Sequence, residues 1–374
     1  MSDVRSILYD NGLGFPNYSN SNLSLFNKLA SGYKDRVLFI LLDGLSYDTI
    51  AEILEKSSYS FIKSGMHLER ISSIAPTFTL SIINSLFSGK TVSEHGIVGN
   101  YIIDNRFGYV IRPLSKIDSN VASNVFPEVT NLKSIDSRYG LTMIVPEEIT
   151  DNPYNNMLMN SFKTYKTLNE ADLVTSIRNE ISLVDDKRFI YAYSEFPDLM
   201  EHNYSKQSDS IKADLDSFLY LLDKYVLKDA LDKGFAIFIT TDHGHIAIRK
   251  DDVYTVDKDN SLLNYLYMRS WGTERIVFLN LKDNVEREFI DYYDKSLKER
   301  FLLFRSKELL DAGLFGSNIN KDIIYKFGDY TLIAKGSTIF DFLEPGRNHN
   351  FPDLFGHHGG LSEEELYIPL ITNE

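Results

Sequence analysis

Three aspartates stand at or just after apolar runs: Asp43 closes residues 36–42, Asp198 follows 189–193 within a few residues, and Asp242 with His243 closes 235–240. In open α/β sheets ligands bind beyond the carboxyl ends of the strands, so polar residues there matter most. Singly, an Asp after a strand is an ordinary helix cap or turn former. Asp198 and His202 are four residues apart, so a helical turn brings both to one face, as a solvated pair or as ligands of one divalent ion. Asp242 and His243 would point to opposite sides of a strand and converge only where the chain turns, as Gly244 permits. His357 and His358, ahead of Gly359 and Gly360, add imidazole at a loop. Together these groups form a candidate two-metal cage whose oxygen and nitrogen donors suit zinc or manganese. Paired ions about 4 Å apart clamp the attacking and leaving oxygens in phosphoryl transfer.

Such a cage needs a nucleophile. Pro76-Thr77-Phe78-Thr79 precedes Leu80, Ile82, Ile83, Leu86 and Phe87, whose spacing predicts an amphipathic helix ended by Gly89. Thr79 then sits at a helix N-terminus, where free amides and partial positive charge favour an alkoxide or a phosphate. The same position also suits a plain threonine cap.

The elements that must carry these residues alternate. Apolar runs at 36–42, 141–145, 189–193 and 235–240 read as strands, with helices at 46–56, 170–183 and 208–231. Right-handed βαβ units and a doubly wound, mostly parallel α/β sheet flanked by helices follow. Beyond Gly244 the texture is more charged, with a strand at 275–279 and helices at 285–300 and 303–312. Residues 246–350 are therefore read as an inserted α+β cap, with 1–245 and 351–374 forming the core and 366–371 its last strand.

The 374 residues can bury a sizeable core, and 43% hydrophobic with 25% charged residues excludes a disordered or fibrous chain. A formal charge of -14 disfavours general binding to nucleic-acid backbone. With no Cys, disulfides, thiolate nucleophiles and Cys-ligated metals are excluded. The start carries no basic segment with an apolar run behind it, so a soluble cytoplasmic protein with no membrane partner is expected.

Set in order, the motifs resemble the alkaline phosphatase superfamily, most closely its nucleotide pyrophosphatase/phosphodiesterase (type I phosphodiesterase) branch, over residues 43–359. The carrying elements are Leu41-Leu42-Asp43-Gly44, Pro76-Thr77-Phe78-Thr79, His95-Gly96 followed by Asn100, Tyr193 through His202, Thr241-Asp242-His243-Gly244, and His358-Gly359. The family's nucleophile stands ten residues before a Gly and sixteen before a His-Gly pair, which picks Thr79 over Thr77. The resemblance implies that Asp43, Thr79, Asp242 and His243 hold one metal ion, most often zinc, and that Asp198, His202 and His358 hold the other. It implies that Asn100 contacts a phosphate oxygen and that the reaction passes through a phosphothreonine. The His357-His358 doublet leaves two candidates for the last ligand, with His358 preferred because Gly359 follows it. His67, His245 and His349 match no motif position and read as surface or structural, and His95 as shaping its turn.

Departures bear on substrate. Many members of the nucleotide branch have Phe-Pro-Asn-His after the nucleophile, where this chain has Leu80-Ser81-Ile82-Ile83, so Leu80 replaces half of an aromatic sandwich around a base. Tyr193 matches the other half, and its ring could stack on a base or pack in the rim. A Thr nucleophile disfavours a sulfatase. A small phosphate ester or nucleotide is the expected substrate, with phosphodiesterase as the leading activity. Phosphomonoesterase is the nearest rival, needing an extra cation such as Arg347 or Lys335. A phosphonate hydrolase and a non-catalytic phosphate-binding member follow.

Overall fold

Residues 36–43 are buried at nearly every position, as a strand covered on both faces requires. The computed structural model describes residues 3–57, 59–104, 108–114, 125–183, 186–204, 208–342 and 355–374. Its principal strands are β1 (Arg36–Asp43), β2 (His67–Ser72), β3 (Leu141–Pro146), β4 (Lys163–Thr167), β5 (Arg188–Pro197), β6 (Ala236–Thr241), β7 (Trp271–Gly272), β8 (Ile276–Leu279), β9 (Phe301–Arg305), β10 (Tyr330–Ala334) and β11 (Tyr367–Thr372). Seven of them form one sheet in the order β2-β11-β6-β1-β5-β3-β4. β1 pairs in parallel with β5 and β6, as β3 does with β4 and β5, and only β11 runs against its neighbours. The protein is thus a mixed α/β fold with a large, mostly parallel central sheet.

Alternation sorts the side chains into two layers. Val37, Phe39 and Leu41 pack on one face with α1 (Asn22–Ala30), α3 (Thr79–Ser88) and α4 (Thr130–Tyr139), through Phe26, Leu86 and Ile135. Leu38, Ile40 and Leu42 pack on the other with α2 (Tyr47–Lys56), α6 (Glu170–Ser182) and α8 (Asp209–Leu222), through Ile50, Ile177 and Phe218. A second sheet, β7-β8-β10-β9, lies within the stretch assigned to the cap. Its core residues Trp271, Phe278 and Phe301 belong to the same packed cluster as Phe26 and Phe39, so the first face of the main sheet and the smaller sheet share one core.

The helix expected at 303–312 begins later. Residues 301–305 pair along β10 as a strand, and Glu308 accepts a hydrogen bond from the Arg305 amide, so the helix runs only over Ser306–Asp311. The helix expected at 208–231 is interrupted by a π turn over Asp223–Leu227. No described helix is long and apolar enough to cross a membrane. The 350/351 boundary of the cap, Arg347 and His349 lie outside the described residues.

Candidate active site

β6, β1 and β5 lie side by side at the centre of the sheet, so residues at their carboxyl ends converge. A register shift after Leu42 sets Asp43 opposite Pro197, one residue before Asp198 opens α7 (Asp198–Tyr204). Gly44 makes the approach possible. Its φ is +74°, and a Cβ there would stand 2.8 Å from Asp198 Cβ. Gly44→Ala is therefore expected to cost about 2–4 kcal/mol from left-handed strain plus overpacking, read as a fall in unfolding free energy in denaturant titration.

Asp242 and His243 follow the end of β6. Gly44 N and His243 N donate to Asp242 Oδ1 at 3.2 and 2.9 Å, and Asn22 Nδ2 donates to the Asp242 carbonyl at 3.1 Å. Asp242 Oδ2 is buried with no hydrogen-bond partner among the described residues. Gly244 serves this turn by its lack of bulk rather than by backbone freedom. A Cβ there would lie 2.1 Å from the Glu364 carbonyl oxygen, and Gly244 is not among the positive-φ glycines.

Three imidazoles share one arrangement. Nδ1 of His202 faces the Gly356 carbonyl at 2.9 Å, Nδ1 of His243 the Gly244 carbonyl at 3.2 Å, and Nδ1 of His358 the Thr77 carbonyl at 3.0 Å. A carbonyl only accepts, so each Nδ1 carries the proton and each Nε2 turns a lone pair inward. Those lone pairs meet carboxylates: His202 Nε2 is 3.4 Å from Asp198 Oδ2, His358 Nε2 is 3.6 Å from Asp198 Oδ1, and His243 Nε2 is 3.5 Å from Asp43 Oδ1 and from Asp242 Oδ2. Acceptors facing acceptors in a buried site call for a cation between them, and backbone-held imidazoles with Nε2 exposed are the usual metal-ligand arrangement. Burial, followed by the charges of Asp242 and Asp198, pushes the Asp43 carboxyl well above its usual range, as crowded anions without a counter-charge must be. Burial holds His358 well below its usual value, which keeps it neutral and able to ligate. The residues thus fit divalent metal.

Two sets of donor atoms lie within 4.8 Å of one another: Asp43, Asp242 and His243, and Asp198, His243, His245 and His358. His245, read from the sequence as surface or structural, is not at the surface and stands in the second set. Its side chain is fully buried, with Nε2 2.5 Å from Asp198 Oδ1. His357 lines the cavity, with Nδ1 2.9 Å from both the amide nitrogen and the carbonyl oxygen of His358, and it belongs to neither donor set. His95 receives the Ile97 amide at 3.0 Å and shapes its turn, while His67 is exposed on β2.

Thr79 is the first residue of α3, with Phe78 as the cap residue and no side chain capping the helix. Its Oγ1 lies 3.0 Å from His243 Nε2 and 3.3 Å from Asp43 Oδ1, and it is partly open to the cavity. Because the His243 proton is on Nδ1, the Thr79 hydroxyl proton has two acceptors, an imidazole and a carboxylate. Tyr193 lines the same cavity, but its hydroxyl donates to Asp43 Oδ2, so this residue is tied to the cluster and is not merely a free stacking ring.

The cavity above the cluster encloses about 970 Å³. Leu80, Ile83 and Phe87 of α3, Val145 of β3, Leu158 and Met159 of α5 (Pro153–Met159) and Tyr191 of β5 give it an apolar wall. Asn100 and Arg112 lie in its lining with Glu274. Arg112 Nε donates to Asn100 Oδ1 at 3.1 Å, and Asn100 Nδ2 donates to Glu274 Oε1 at 3.2 Å, leaving a second Nδ2 hydrogen. Among the described residues that line the cavity, Arg112 is the one Arg or Lys, and Lys335 is not there. Neither Arg112 nor Glu274 follows from sequence spacing, since their approach to Asn100 depends on tertiary packing.

Comparison with known proteins identifies the fold and the family. The family model for type I phosphodiesterase / nucleotide pyrophosphatase matches residues 37–311. Among solved structures, murine ectonucleotide pyrophosphatase / phosphodiesterase 5 is similar at a TM-score of 0.67 and 19% identity, covering 90% of this chain and 87% of that one. An inactive variant of the murine protein, in complex with AMP, is similar at the same TM-score and identity, covering 90% and 88%. Phosphonoacetate hydrolase from Sinorhizobium meliloti, in complex with phosphonoacetate, is similar at 0.63 and 15%, covering 91% and 90%. Asp43, Thr79, Asp198 and Asp242 all lie within the matched stretch, and the chain belongs to the type I phosphodiesterase / nucleotide pyrophosphatase family of phosphoric ester hydrolases.

Proposed function

We propose that this protein is a two-metal phosphodiesterase of small phosphate esters or nucleotides, acting through a phosphothreonine on Thr79. The observation that carries the reading is the Thr79 hydroxyl, set at the start of α3 between His243 Nε2 and Asp43 Oδ1 and facing the cavity. Asp43, Thr79, Asp242 and His243 would hold one divalent ion, and Asp198, His202 and His358 the other, with zinc best suited to this oxygen and nitrogen set and manganese the alternative. When bound, such ions supply charge stabilisation to the attacking, leaving and non-bridging oxygens.

The chain's own residues do the rest. Thr79 Oγ1 gives up its proton to water in the open cavity as it bonds to phosphorus, while the bond to the ester oxygen opposite breaks and that oxygen leaves, taking up a proton from water. Water then cleaves the phosphothreonine and restores the hydroxyl. The free amides at the start of α3 and the second Nδ2 hydrogen of Asn100 stabilise negative charge on the phosphoryl oxygens. Diester preference is supported by the apolar wall, which offers an ester substituent a place, and by Arg112, whose Nε is already committed to Asn100. Residues 246–350 act as the cap, contributing Glu274 and Asp341 to the cavity.

The test is hydrolysis of bis-p-nitrophenyl phosphate beside p-nitrophenyl phosphate by zinc- and manganese-loaded protein. Faster diester cleavage is expected. Faster monoester cleavage would overturn the diester assignment and place Arg112 opposite the extra charge. Asp242→Asn, which halves the charge of the Asp43–Asp242 pair, is expected to lower the metal-to-protein ratio by elemental analysis, and an unchanged ratio would remove Asp242 from the ligands.

A further inference from the structure

His245 takes no part in the reaction set out above, yet it stands in the cluster with its side chain 0% exposed. Nε2 is 2.5 Å from Asp198 Oδ1, and its donor atom lies within 4.8 Å of those of Asp198, His243 and His358. On the other edge of the ring, Nδ1 is 3.8 Å from Glu201 Oε2, and the Glu201 side chain is also 0% exposed.

Two placements of the ring proton are open. With the proton on Nε2, His245 donates to Asp198 and sets its Nδ1 lone pair against the Glu201 carboxylate. With the proton on Nδ1, the N–H faces Glu201, and the Nε2 lone pair joins Asp198 Oδ1 in facing the same space. The second placement turns an N–H toward the Glu201 carboxylate but leaves Nε2 and Asp198 Oδ1 as two acceptors 2.5 Å apart, a pair that only a shared cation reconciles. It also repeats the arrangement at His202, His243 and His358, where Nδ1 is the protonated edge. Carboxylates that hold metal-binding imidazoles do so from the non-ligating nitrogen in this way.

We infer that His245 is an additional ligand of the ion assigned to Asp198, His202 and His358, with Glu201 fixing its tautomer from behind. The inference rests on the two-ion reading. It gives that ion a fourth protein donor, one more than catalytic zinc sites usually have.

Full-length protein stripped of metal would be titrated with Zn2+ against a competing chelator, and separately loaded with Co2+ for its visible ligand-field bands. The wild type should take up two ions. His245→Ala should weaken one of them by more than the roughly 10–100-fold that loss of an outer-sphere partner costs, leave the other unchanged, and shift the cobalt bands. His245→Gln, which can still donate to Asp198, should bind as weakly as His245→Ala. Glu201→Gln provides a shape-preserving check and should weaken the same ion. Wild-type affinity and cobalt bands in His245→Gln would overturn the inference and leave His245 a positioning residue, as would a wild-type protein that takes up a single ion. Neither readout uses turnover. A protein that binds two ions but cleaves no diester would overturn the functional reading and leave the His245 assignment standing.

Discussion

Thr79→Ala is expected to lower diester turnover by on the order of 10⁴–10⁶-fold, the range seen when a covalent nucleophile is removed, while the fold stays intact. Thr79 is one residue of a ten-residue helix and caps nothing, so its removal leaves α3 its buried face of Leu80, Ile82, Leu86 and Phe87. Thr79→Ser keeps the hydroxyl and should retain turnover well above the Ala variant. Rapid acid quench of the wild type during turnover should yield protein carrying one extra phosphoryl group, located to Thr79 by peptide mass spectrometry and missing in the Ala variant. Turnover in purified Thr79→Ala close to that of the wild type would sink the nucleophile assignment, whatever the metal content.

The second large effect is on stability. Arg275 and Glu365 form an ion pair with both side chains 0% exposed, Nε to Oε1 at 2.7 Å and Nη2 to Oε2 at 3.1 Å. Arg275 also donates to the Thr338 and Gly336 carbonyls at 2.7 and 2.8 Å, while Glu365 accepts the Gly360 and Ser362 amides at 2.7 and 2.9 Å. Glu365→Ala strands a buried guanidinium and should destabilise the protein by about 3–5 kcal/mol, measured by denaturant unfolding. Arg275→Met with Glu365→Leu together should cost less than the sum of the single changes, because neither charge is then left alone. The pair also carries a pH signature. Burial pushes the Glu365 carboxyl up, but Arg275 and the hydrogen bonds outweigh it and hold the group below its ordinary 4.5. Its stabilisation is therefore complete above about pH 4.5 and is lost as pH falls through the lowered value. Acid unfolding of Glu365→Ala should lack that component.

Legibility followed burial. The strands at 36–43, 188–197 and 236–241 are covered on both faces, so their continuous apolar runs announced them, and the Asp residues beyond them stood out against that background. β2 and β4 lie at the two edges of the sheet, and their sequences, His67–Ser72 and Lys163–Thr167, are too polar to read as strands without their neighbours. Phe301–Arg305 has a composition that suits helix or strand, and only pairing with β10 decides it. In the site, Asp43, Asp198, His202, Asp242 and His243 stood out because local spacing and strand ends mark them, while His358 was set above His357 by the family resemblance alone. His245, Arg112 and Glu274 did not stand out, because what makes each of them matter is a neighbour remote in sequence: Asp198, Asn100 and, for Glu274, Asn100 again.

The reversed strand has a consequence for biosynthesis. β11 is inserted between β2 and β6, and it follows every other strand of the main sheet in the chain. Until the ribosome has released residues 367–372, β2 has no partner in the sheet and one side of β6 is an open edge, the kind of template on which nascent chains pair wrongly. His358 emerges in the same closing stretch. Completion of the sheet and arrival of a histidine of the proposed metal site are thus tied to a single late event in translation, so nascent chains stopped short of residue 358 lack both.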